Sequence, residues 1–164
     1  MIIHSEDAEK DALLHAAKLM VAAARTAPKA RGRESIKTMI LTGDDKDRLA
    51  DAMPTTGRAG QTNPQNVRDA GAVVLIGVDF ESDTEEWFGM RAKLIDLGIA
   101  LGSAVKLASD LNIDNRIFYS AGRAARQAGI MQADEVQGIP IAIKGKNIFF
   151  DRSRPTRQGE QRPG

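Results

Sequence analysis

The sequence predicts an α+β fold, and three observations carry the prediction. The run from Ala72 to Val78 (AVVLIGV) is apolar throughout, the pattern of a strand buried on both faces. Two long segments, one ending near Ala24 and one from about Arg91 to Leu111, repeat small and apolar residues at helical spacing. Shorter runs at Ile36 to Thr42 and Val136 to Ile143 read as further strands. A chain of 164 residues suits one domain with a real core and is short for two. Residues 1–152 are expected to form that domain, with 153–164 as a flexible polar tail.

Each element has its own justification. The first helix is expected to start with Ser5 as N-cap, Glu6 and Asp7 complementing the positive end of its dipole. Leu13, Ala16, Ala17, Met20 and Ala24 form its apolar stripe. Pro28 disfavours helix at the residue before it, so the chain turns into a basic loop, Lys29-Ala30-Arg31-Gly32-Arg33. After the strand at 36–42, Gly43 and Asp44 lead into a helix reaching about Met53. Residues 54–66 (PTTGRAGQTNPQN) read as an exposed loop, with a short helical turn at Asn63-Pro64.

Asp79 to Glu86 reads as an acidic surface loop leading to a turn at Trp87. In the helix that follows, Ile95, Ile99, Gly102, Val105 and Ala108 recur at three- and four-residue spacing, and Gly98 and Gly102 share a face beside Ser103. A mid-helix glycine costs about 1 kcal/mol relative to alanine, usually offset by close approach of another helix, a bound group or a symmetry mate. Ile117 to Tyr119 reads as a short strand, Ser120 as the cap of a helix to about Ala128, and Gly129 as its stop. Gly138 and Pro140 suggest that the strand at 136–143 is irregular or lies at an edge. Gly145-Lys146 suits a tight turn into a last strand at Ile148-Phe149-Phe150.

Composition excludes several chemistries. Lys plus Arg number 23 and Asp plus Glu 22, so no global field draws the chain to nucleic acid or an acidic membrane. The absence of cysteine removes disulfides, thiol nucleophiles, cysteine-held zinc and an all-cysteine iron–sulfur cluster. Met1 to Asp7 lacks a basic region followed by an apolar run, and no stretch has membrane-spanning length; a cytoplasmic protein is expected.

No side-chain set stands out as catalytic. His4 and His15 read as surface histidines with no acidic partner at ligand spacing. Asp83, Glu85 and Glu86 read as crowding in an exposed loop, and Ser103 and Ser120 lack a GxSxG elbow or a nearby histidine. No GxGxxG or Walker pattern occurs. Lys29, Arg31 and Arg33 follow a helix end, and Arg152 and Arg154 follow the last strand. Brought together they would clamp a phosphate; left apart they are solvated charges, and both readings stand.

Several blocks resemble known families. AARTAPKARG, DAGAVVLIGV, IDLGIALGSAVKLASDLNIDNRIFY and GIPIAIKGKNIFFDR, in that order, resemble the uncharacterised prokaryotic ferredoxin-domain proteins. In that family a cysteine-rich segment lies between the second strand and the central helix. Here the segment is shortened to DFESDTEEWFGM (Asp79 to Met90) and holds no cysteine, so the resemblance implies a member that cannot carry the cluster. At greater distance, Ala22 to Met53 and Asp96 to Asp114 resemble the opening and the central helix of flavin-dependent nitroreductases, with Val136 to Asn147 as the later strand.

The nitroreductase resemblance implies a three-layer α+β fold of obligate-dimer style, a central mixed or antiparallel sheet flanked by helices, with FMN at the subunit boundary. It implies Pro28, Lys29 and Arg31 near the flavin ring and Arg152 and Arg154 at its phosphate. Lys29 and Gly32 stand where that family has the serine and asparagine that touch the flavin, and the sequence starts after the place of its amino-terminal arginine-serine-arginine motif. The expectation is an FMN-dependent oxidoreductase of open substrate, a homodimer through the 91–111 helix, with neither nucleic acid nor membrane as partner. A non-catalytic dimeric scaffold that has lost its cluster, or an anion or nucleotide binder using the same basic loops, are the competing readings.

Overall fold

The computed structural model describes residues 1–56, 62–80 and 87–150. The elements are α1 (Ser5–Thr26), β1 (Ile36–Leu41), α2 (Gly43–Ala52), α3 (Asn63–Asp69), β2 (Ala72–Val78), α4 (Lys93–Asp110), β3 (Asp114–Asn115), α5 (Tyr119–Gln127) and β4 (Glu135–Ala142). The four strands lie in the order β1-β2-β4-β3, and every neighbouring pair is antiparallel.

Helices cover both faces of this sheet, which explains the unbroken apolar run in β2. Ala72, Val74, Ile76 and Val78 point into a core shared with α1 and α4, while Val73 and Leu75 point into a second core shared with α2, α3 and α5. Strand side chains alternate faces, so a strand covered on both sides needs apolar residues at every position. The α1 stripe expected from the sequence is the buried one: Leu13, Ala16, Ala17, Met20 and Ala24. It meets the inner face of α4, formed by Leu97, Ala100, Leu101, Ala104 and Ala108, and the small residues let the two helices lie close. Among the described residues no helix is long and apolar enough to cross a membrane.

Several sequence expectations need correction. Helix α1 begins at Ser5 itself, and the preceding His4 carbonyl accepts the amides of Asp7 and Ala8 in place of a serine side-chain cap. Tyr119 opens helix α5 and does not close a strand; β3 holds only Asp114 and Asn115, followed by a lone bridge at Phe118. Ser120 caps nothing: its hydroxyl accepts a bond from Asn63 at 3.0 Å, joining α3 to α5.

Strand β4 sits inside the sheet, paired with β2 along its length and with β3 at its end, despite its glycine and proline. Gly138 exchanges backbone bonds with Phe118 at 2.7 and 3.3 Å on the β3 side. Pro140, two residues on, therefore turns its missing N–H the same way, into the gap where β3 has ended. Ile148 to Phe150 forms a turn and not a strand, because the Asn147 side chain takes the Phe149 amide at 3.0 Å. Phe149 still enters the core, edge-on against Phe118.

Candidate functional site

Three unusual local features meet where the end of α1, the segment before β1 and the start of α4 come together. The first is the end of α1. Ala27 closes the helix, and the Lys29 ammonium folds back to donate to the carbonyls of Arg25 and Ala27, the latter at 2.9 Å. A cation there satisfies orphan carbonyls and complements the negative end of the dipole. Glu34 holds the arrangement from the other side, 2.9 Å from Arg25, 3.5 Å from Lys29, and accepting the Ile36 amide at 2.8 Å. Burial pulls the Glu34 carboxyl upward, but the Arg25 hydrogen bond, the Ile36 amide and the charges of Arg25 and Lys29 outweigh it and keep it below the ordinary carboxylate value.

The second feature is the single 3₁₀ turn Ala30–Gly32. Arg31 has φ of 55° and Gly32 φ of 64°. Glycine adopts that conformation freely, whereas an arginine loses roughly 1–2 kcal/mol there. The strained backbone sends the Arg31 guanidinium over the Phe88 ring, 3.9 Å from its centroid. Such stacking occupies the planar face of the cation and leaves its N–H edge for an anion.

The third feature is the entry to α4. A π-helical turn, Trp87–Ala92, carries Phe88 and runs directly into the helix. Isolated π turns are rare and concentrate at functional sites. Just beyond it, Lys93 and Asp96 are 1% and 2% exposed and lie 3.8 Å apart. One Asp96 oxygen accepts the Ala30 amide at 2.8 Å, and the other has no hydrogen-bond partner. Ser35 Oγ, beside the same segment, is likewise buried without a partner. Strain, an irregular helix entry and buried charge in one place mark a functional site better than any of them alone.

Of the residues singled out from the sequence, Pro28, Lys29 and Arg31 fall at this site. Arg152 and Arg154 lie outside the described residues, as do Asp83, Glu85 and Glu86. Phe88, Lys93 and Asp96 escaped sequence reasoning. For Lys93 and Asp96 the one visible signal was their three-residue spacing in register with Leu97, Ala100 and Ala104; Phe88 offered none. The other notable surface is the outer face of α4, where Leu94, Ile95 and Ile99 are exposed around Gly98 and Gly102, continued by Met90 in the preceding turn; Ile95 keeps 61% of its surface. The glycines have open space where a side chain would begin. A cleft of about 620 Å³ lies on the α5 side of the sheet; of its charged lining residues, Lys37 pairs with Asp79, and Arg126 pairs with Glu135 outside it. Among the described residues no group of three potential metal ligands occurs.

This arrangement can be set beside known proteins. A putative nitroreductase in complex with FMN from Desulfovibrio desulfuricans superposes with a TM-score of 0.63 over 87% of this chain and 80% of its own, at 18% identity. A nitroreductase family protein from Clostridium novyi gives 0.62 over 87% and 76%, at 16% identity. At such identities the likeness is one of fold, and the chain has the nitroreductase-like α+β fold. In sequence, an uncharacterized protein of Archaeoglobus fulgidus is 33% identical over 93% of this chain and 98% of its own length. Residues 90–152, from the π-helical turn onward, match the family described as uncharacterized protein containing a ferredoxin domain (DUF2148). The chain belongs to that family, on a nitroreductase-like fold and with no cysteine in its sequence.

Proposed function

We propose that the protein is a nitroreductase-like, FMN-binding oxidoreductase that works as a homodimer paired through the outer face of α4. The observation that carries this reading is Arg31, a cation forced into a strained backbone and stacked on Phe88 at the entry to α4. The FMN held by the Desulfovibrio desulfuricans relative of the same fold supports it. The residues fit a flavin unequally. The Arg31 N–H edge suits the negative side of a reduced ring, and Ser35 Oγ is a buried polar atom without a hydrogen-bond partner in the segment that follows. Lys29, by contrast, directs its donors at two carbonyls and Glu34, so it would act by setting the turn and not by touching a ligand.

Bound FMN would supply the electron and hydride chemistry. This chain's residues would hold and tune it: Pro28 ends the helix and opens the turn, Arg31 offsets negative charge, and Arg152 and Arg154 grip the phosphate. The apolar outer face of α4 would be covered by a second copy, placing Arg31 near the boundary. The test is direct. Protein purified without added cofactor should show oxidised-flavin absorbance, or gain it with quenched flavin fluorescence on titration with FMN. A colourless protein whose spectrum and melting temperature ignore FMN would sink the proposal. The engagement of Lys29 favours one second reading, a non-catalytic dimeric scaffold, which predicts that colourless result together with an intact dimer.

A further inference from the structure

We infer that Asp96 is a positioning residue: its buried carboxylate fixes the strained turn from which Arg31 is presented. Asp96 lies on α4 and Ala30 on the turn, 66 residues apart in sequence, and the bond between them at 2.8 Å joins the helix directly to the turn. The donor is the amide of Ala30, the residue immediately before Arg31, so this contact anchors the backbone leading into the left-handed region. Two further contacts converge on the same turn, the Arg33 amide on the Ala30 carbonyl at 3.3 Å and the Arg31 guanidinium on Phe88. A conformation that bulky residues avoid persists only where its surroundings over-determine it.

The burial of the pair supports the same conclusion. Lys93 and Asp96 stand almost wholly out of water, and a buried ion pair contributes little stability beyond what apolar residues of similar volume would provide. Its contribution is then one of geometry. A carboxylate oxygen is a strong acceptor for an amide, and the bond it makes to Ala30 holds the turn. The apolar helix α4 thus carries on its inner face the brace for a cation offered outside the core. The geometric part stands on contacts alone; its effect on ligand affinity rests on the flavin reading above.

Amide hydrogen exchange on the full chain tests the brace, following Ala30 with Leu75 and Ile76 in β2 as core references. In Asp96→Ala the Ala30 amide should exchange at least about tenfold faster, the effect of losing one charge-assisted bond. The β2 amides should change no more than global stability does. Asp96→Asn keeps an acceptor and should restore much of the protection. If Asp96→Ala does not fold, Lys93→Met/Asp96→Leu removes both charges together and should show the same selective loss. Equal Ala30 exchange in all variants, or equal loss at Ala30 and in β2, overturns the inference. FMN titration adds a second arm: Asp96→Ala should bind about tenfold more weakly, and unchanged affinity overturns the positioning role. Failure of the wild-type chain to bind FMN would remove the flavin reading alone, and the exchange comparison would then decide by itself.

Discussion

Glu34 shows how much a single side chain carries at this site. It joins Arg25, Lys29 and the Ile36 amide, and those partners hold its carboxyl below the ordinary value against the opposing pull of burial. A group whose folded value is lowered adds stability above its unfolded value and loses it as pH falls through the folded one. Glu34→Gln should therefore be less stable than the wild type near neutral pH, and the gap should close in acid below the ordinary carboxylate range. Urea unfolding at neutral and acid pH measures it; a gap that widened on acidification would contradict the assignment. At this scale the sequence was legible only in part. Lys29 and Arg31 could be named as cations in a loop, but one folds back on its own helix and the other stacks outward. Charge type is written in the sequence, whereas the direction of a side chain depends on φ values that no composition reveals.

Helix α5 and strand β4 show what an element requires of its neighbour. A side chain at Gly122 would begin 1.9 Å from the Val136 carbonyl oxygen, and one at Gly138 would begin 2.7 Å from Ala121. The helix rests backbone to backbone on the strand, so even a methyl group must push β4 away. Gly122→Ala should lose about 3 kcal/mol or more. Gly145→Ala, where nothing lies within 4 Å and the backbone is not left-handed, should stay within about 0.5 kcal/mol of wild type. Denaturant midpoints for the pair check it, and equal effects would refute the close-packing account. From the sequence, Gly138 and Pro140 suggested a strand that is irregular or at an edge; it is not at an edge, for the glycine admits a helix and the proline falls where its partner strand has ended.

For the whole molecule the decisive feature is that α4 has two apolar faces. Leu97, Ala100, Leu101, Ala104 and Ala108 fill the core, while Ile95, Gly98, Ile99 and Gly102 face outward. In the dimer proposed above, the outer face lies against a second copy and the glycines allow the helices to approach. Gly102→Leu meets open space within its own chain. It should therefore leave the fold intact, with an unfolding midpoint at high dilution near that of wild type, while weakening self-association. Sedimentation velocity over a concentration series reads the effect, and a dimer of unchanged affinity would remove Gly102 from the interface.

Residue order alone was enough to read the α+β class, the doubly buried strand β2, the core stripe of α1, the exclusion of cysteine chemistry and the presence of a cationic loop after Pro28. Those follow from hydrophobic period and residue type, which are local properties. It took the folded chain to show which face of α4 enters the core, that β4 lies inside the sheet, and that Asp96 reaches the Ala30 amide. Each of these depends on contacts between residues far apart in the chain, and two apolar stripes on one helix have equal claim to the core until a second helix lies against one of them.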